Sequence, residues 1–270
     1  MSHPATLTVL AIFLWWLFTG MILLAVRWAD RQGGSAHGMV TVAGVPLLAL
    51  GVAGVILSLS GHSIWTVYAG FLGALAVWGW IELAFLTGIV AGPERRDCPP
   101  GLTGWPRFQR AWGTVSHHEL TLTLGLALLA AISTGAGTKV AVWTYLVLYV
   151  ARVSAKLNLF WGVPRINMEF VPARLAHLKS YFRRSPVTLA FPAAITFLSF
   201  ATGCFIERLI ATDNPVDQAA FTLLAALSAL ALIEHWLMVV PLPDAKLWRW
   251  MLPAPKTDLL PIPNEESPRP

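Results

Sequence analysis

Three carboxylates and three imidazoles stand in stretches of sequence that are otherwise apolar. Glu82 lies inside one run, His117-His118-Glu119 opens another, and Glu234-His235 sits inside a third. Charge in hydrocarbon costs a few kcal/mol or more, so such groups pair with one another or carry function. Three chemistries suit these residue types. The first is metal ligation, because carboxylate and imidazole on facing helices build the di-iron sites of helical bundles. Those sites use Glu-x-x-His spacing, which puts both ligands on one helix face. Here the pairs are adjacent and diverge by about 100°, so one member of each can bind while the other orients. The candidate set is Glu82, His118, Glu119, Glu234 and His235, with His117 at its edge. The second chemistry is charge pairing. Arg152 and Lys156 are four residues apart and share one helix face, so either can neutralise a carboxylate. The third is a histidine ligating the magnesium of a tetrapyrrole.

The elements that must position these groups are transmembrane helices. Seven long apolar stretches run over residues 7–26, 39–60, 64–91, 118–135, 139–160, 187–210 and 218–241. Each is long enough to cross a hydrocarbon core of roughly 30 Å. A chain in lipid must satisfy its own backbone hydrogen bonds, so the fold class is an all-α integral membrane bundle of about seven helices. Composition agrees: 56% of residues are hydrophobic and 12% charged, against about 25% charged in soluble domains. No polar stretch is long enough to fold separately, so residues 1–245 form one polytopic membrane domain. With seven crossings, all of the 19 Lys and Arg except Lys139 and Arg208 fall on one side. The positive-inside rule makes that side cytoplasmic, with the N-terminus periplasmic and the C-terminus cytoplasmic. The compartment is then a membrane that borders the cytoplasm. The net charge of +5 reflects topology and not a nucleic-acid footprint. Cys98 and Cys204 fall at different depths, which excludes a disulfide or a CxxC metal site.

On this topology Glu82 and Glu234 lie roughly 10–14 Å below the basic surface. The fourth helix would open near Thr114 as N-cap, bringing His117, His118 and Glu119 into the same layer. Two longer loops, about 92–117 and 161–186, lie on the basic side. Residues 173–184 interleave apolar and basic side chains, as in a helix lying on the membrane surface. Asn158 to Asn167 reads as a helix end stopped by Gly162 and Pro164, or as a segment closing over the polar layer. His37 and His62 read as solvated and His177 as interfacial. Residues 246–251 mix Trp with cations as an interfacial anchor, and a Pro-rich tail follows to residue 270. The 13 Trp suit interfacial belts, core packing, or a surface for pigments and their carriers.

Four runs, taken in order, resemble the PuhE family, the photosynthetic complex assembly protein 2 proteins. They are Trp78-Gly79-Trp80-Ile81-Glu82-Leu83-Ala84-Phe85-Leu86-Thr87-Gly88, Ser116-His117-His118-Glu119-Leu120, Asn158 to Asn167, and Ile233-Glu234-His235-Trp236. The similarity covers nearly the whole chain. Such genes lie beside that of the reaction-centre H subunit in anoxygenic phototrophic proteobacteria. The resemblance implies a factor for assembly of the photosynthetic reaction centre and light-harvesting complex, or a modulator of bacteriochlorophyll supply. Reaction-centre or antenna subunits and pigment-supply proteins would be the partners, and a transient (bacterio)chlorophyll a cofactor. It carries over no catalytic residue. The residues themselves leave open an alternative, a membrane metalloenzyme of di-iron type, an oxidase or hydroxylase, with iron in the Glu/His layer.

Overall fold

The computed structural model describes residues 4–242. The tail from residue 243 onward, including the Trp-and-cation segment 246–251 and the Pro-rich end, lies outside the described residues. Among the described residues, eight α-helices follow one another. They are α1 (Pro4–Gln32), α2 (Ala36–Ala43), α3 (Val45–Leu59), α4 (Ile64–Leu86), α5 (Gly104–Ile132), α6 (Val140–Trp161), α7 (Ala190–Ala211) and α8 (Pro215–Trp236). Two 3-10 segments, Met168–Phe170 and Ala173–Tyr181, lie between α6 and α7. Counting α2 and α3 as one bent helix, seven are long and apolar enough to cross a membrane. The chain thus folds as a multi-pass helical bundle.

Burial ranks the helices. α4 is the central element, with 72% of its most apolar window buried, and α8 follows at 56%. α1, α5 and α7 show most of their surface, at 17%, 22% and 11%. Exposed Leu, Ile and Phe on those helices face outward as a lipid-spanning protein requires. One core joins α1, α4, α6 and α8 through Leu7, Phe71, Leu75, Val147, Leu223 and Leu227. A second joins α3, α4, α5 and α6 around Tyr145, whose ring meets Trp78 edge-on at 5.1 Å. α3 and α4 touch backbone to backbone. A Cβ placed on Gly73 would stand 2.7 Å from both the Gly51 carbonyl and the Val55 amide. Small residues permit this approach, which maximises van der Waals contact where lipid removes the hydrophobic drive.

The chain departs from its sequence pattern at three places. α5 begins at Gly104, some ten residues before Thr114, so the loop expected over 92–117 is short. Thr114 is not a cap: it is buried in mid-helix and donates to the Ala111 carbonyl. Residues 104–113 extend the helix beyond the apolar layer, and its Gly113 end meets residues 91–94. There the amide of Glu94 reaches the Gly113 carbonyl and that of His118 reaches the Ala91 carbonyl. Second, Pro46 lacks an amide proton, and the second span breaks between α2 and α3 at Gly44. Third, residues 173–184 do not form a surface helix. Ala173–Tyr181 make a 3-10 segment kinked at Leu175, and Leu175 and Leu178 pack on Phe85 and Ala91.

This last contact creates a cap over the basic end of the bundle, built from residues 87–103 and 162–189. Arginines fasten it. Arg95 donates to the Gly88 carbonyl, Arg107 to those of Phe160 and Tyr181, Arg174 to that of Gly34, and Arg27 to that of Glu169. Arg165 donates to the Leu237 carbonyl at the C-terminal end of α8, where unsatisfied carbonyls favour a cation, and to that of Leu242 beyond it. α6 stops at Gly162, which has φ +135 and whose missing Cβ makes room for the Ser185 hydroxyl.

Candidate functional site

Directly beneath the cap, α4, α5 and α6 meet through charge. Arg152 on α6 donates to Glu82 Oε2 on α4 at 2.7 Å. Lys156, one turn further along α6, pairs with Glu119 on α5 and donates to His118 Nδ1 at 2.7 Å. An ammonium has no lone pair to offer, so Nδ1 must accept and the ring proton sits on Nε2. That atom faces Glu82 Oε1 at 3.4 Å, and neither atom has another hydrogen-bond partner. The result is a chain, Arg152–Glu82–His118–Lys156–Glu119, in which each carboxylate is met by a basic side chain and the imidazole links the two pairs. Phe85, one turn after Glu82, lies among these groups. Its ring centroid is 4.2 Å from that of His118 and 4.8 Å from Lys156 Nζ. His118 is fully buried, and Glu82 and Glu119 are buried as well.

Helix position supplies the groups. Glu82 and Phe85 are three apart on α4, and Arg152 and Lys156 four apart on α6, so each pair shares a face. His118 and Glu119 are neighbours on α5, yet both reach Lys156, because α6 packs in the angle between their directions. The layer is shallower than the sequence depths suggested. α4 ends four residues after Glu82, about 6 Å of helix. The roof of Leu175, Leu178 and Phe182 then keeps water from it.

The other expected residues stand apart from this chain. His235 is buried on α8, where Nδ1 donates to the Ala231 carbonyl at 2.8 Å and Nε2 therefore accepts from the Ser154 hydroxyl at 2.8 Å. Glu234 on α8 keeps exposed surface, takes a hydrogen bond from Trp15 on α1 and feels the charge of Arg152 without pairing with it directly. His117 is exposed. Among the described residues no group of three His, Cys, Asp or Glu side chains is arranged to hold a metal ion. The carboxylates that would ligate one are instead met by Arg152 and Lys156.

Three histidines outside the layer complete the account. His37 is buried and bonded to Asp30 at 2.9 Å, not solvated, because the turn between α1 and α2 folds it inward. His62 is partly exposed, within 3.3 Å of Asp217. His177 is buried in the cap, and among the described residues its Nε2 has no hydrogen-bond partner. Burial, seconded by the nearby Arg95 charge, lowers its pKa below the usual histidine value. Sequence reasoning missed Phe85, Ser154 and Trp15 as partners. Only Phe85 carried a signal, its spacing of three from Glu82; the other two contacts are set by how the helices pack.

A family model described as protein of unknown function, DUF3623, matches residues 1–258. The chain belongs to the DUF3623 family. It is also 47% identical over 254 residues to an "Uncharacterized 30.4 kDa protein in puhA 5'region" of Rhodobacter capsulatus. That alignment covers 94% of this chain and 93% of the relative. No solved structure matches the chain.

Proposed function

We propose that this protein is a non-catalytic assembly factor of a bacterial inner membrane. It would serve the photosynthetic reaction centre and its light-harvesting complex, directly or by modulating bacteriochlorophyll supply. The observation that carries this is the near full-length relative named for the puhA 5' region, a location that fits the gene neighbourhood implied by the PuhE resemblance. The polar layer supports a structural role. Each of its two carboxylates is met by a basic side chain, and a buried pair of this kind specifies which helices meet more than it adds stability. The orientation that goes with this reading places the cap and the chain's basic end in the cytoplasm.

The test is genetic. The relative in Rhodobacter capsulatus is deleted and this chain is supplied in its place. Deletion should lower reaction-centre and antenna levels, or alter bacteriochlorophyll levels, under phototrophic conditions while sparing aerobic growth, and this chain should restore them. Normal complexes and pigment in the deletion strain would refute the proposal.

A further inference from the structure

The positive charge of this chain is not spread along it. The cap and the helix ends beside it hold eleven Lys and Arg, from Arg27 and Arg31 to Arg184, against four acids, Asp30, Glu94, Asp97 and Glu169. Elsewhere the balance is even or negative. The helices beneath hold two cations, Arg152 and Lys156, against Glu82, Glu119 and Glu234, and the opposite end has Lys139 and Arg208 against Glu207, Asp213 and Asp217. Residues 243–270 carry four of each sign, so the tail has no net charge with which to neutralise the cap.

Hydrogen bonding within the cap does not discharge it. Several guanidinium groups are spent on backbone carbonyls, which orient an arginine without cancelling its charge. Others, among them Arg31, Arg183 and Arg184, are exposed. These sit beside exposed aromatics. α1 and α5 each have 29 residues, about 44 Å of helix against a hydrocarbon core of roughly 30 Å. Their surplus turns project at the basic end, with Trp28 beside Arg27 and Arg31, and with Trp105 and Trp112 flanking Arg107 and Arg110. Trp161 lies exposed where α6 runs into the cap near Arg183. Indole and guanidinium at the level where helices leave hydrocarbon is the chemistry of a headgroup layer.

We propose that this end of the protein binds anionic phospholipid headgroups, which complete the charge of the cap and hold it against the membrane surface. The perimeter position of the Trp and Arg side chains favours lipid over an acidic protein face.

The experiment uses the full chain in neutral detergent, with Tm followed as phosphatidylglycerol or phosphatidylcholine is titrated in. Phosphatidylglycerol should raise Tm saturably and phosphatidylcholine should not. Added salt should weaken the effect. Changing Arg31, Arg183 and Arg184 together to Gln should raise the apparent Kd for phosphatidylglycerol roughly 100-fold, at about fivefold per charge. Arg208→Gln, at the opposite end, should leave it unchanged. Equal stabilisation by phosphatidylcholine, or no loss in the triple variant, would overturn the proposal. So would stabilisation by polyglutamate with none by phosphatidylglycerol, which would point to an acidic protein instead. If the triple variant does not fold, the salt dependence measured on the unaltered protein decides: an effect that salt leaves intact counts against headgroup binding.

Discussion

Two points on α4, nine residues apart, are held in different ways. At Gly73 the helix meets α3 with no side chain between the backbones, and the fit depends on an absent Cβ. At Glu82 it meets α6 through Arg152 and α5 through His118. The first contact is non-directional and tolerates only small residues. The second is directional and fixes which helix face meets which. A bundle in lipid has little hydrophobic drive to choose partners. The glycine seam therefore supplies closeness, and the charged layer supplies register under the cap.

Breaking the layer should have the largest effect. Lys156→Met leaves Glu119 buried with no cation and His118 Nδ1 with no donor. Removing one partner of a buried pair costs about 3–5 kcal/mol, so the variant should show a large drop in Tm in detergent or fail to accumulate in the membrane. Replacing both partners, Lys156→Met with Glu119→Leu, should recover most of that loss, because apolar substitutes of similar volume are often neutral. A double variant no better than the single would mean that the layer does not act as a paired unit.

The glycine seam should respond less. Gly73→Val forces atoms against the Gly51 carbonyl and the Val55 amide, and overpacking of this kind costs about 1–3 kcal/mol. The loss should be insensitive to pH and salt. A Tm unchanged by this substitution would show that α3 and α4 are not in backbone contact.

Much of this contrast was legible in the sequence, and some was not. Apolar run lengths revealed seven crossings because hydrocarbon thickness leaves little freedom. Glu82, His118, Glu119, Arg152 and Lys156 stood out because charge is rare in such runs. The partner choice did not follow. Nothing local says that Lys156 takes Glu119 while Arg152 takes Glu82, or that Glu234 meets Trp15 of α1. Helix rotation decides these pairings, and rotation depends on packing along the whole bundle. The cap was the least legible part. Residues 173–184 carry an amphipathic pattern that suits a membrane surface, yet Leu175 and Leu178 found a protein surface at Phe85 and Ala91. Likewise, nothing between Gly104 and His118 marks where α5 leaves the membrane, since helix propensity runs through that boundary.

The smallest expected effect belongs to the cap. His177 is buried, and its pKa is lowered from the ordinary value of 6.5. The folded state therefore binds fewer protons than the unfolded state as pH falls through 6.5, and cap stability should decline below that pH and level off above it. Hydrogen exchange of amides in residues 173–181, followed between about pH 5 and 8 after correction for intrinsic rates, should show the decline. His177→Phe should abolish it. A pH-independent cap in the unaltered protein would show that His177 carries its proton equally well in both states.

The most direct test of the account asks whether the layer holds the bundle or performs chemistry. In the Rhodobacter capsulatus deletion strain, the chain carrying Lys156→Met and Glu119→Leu is compared with the unaltered chain at matched membrane levels. If the layer is an interhelical clamp serving an assembly factor, the double variant restores reaction-centre and antenna levels close to those of the unaltered chain. A double variant that is present and folded in the membrane, yet restores neither complex nor pigment, would contradict the account and make the layer itself the working site.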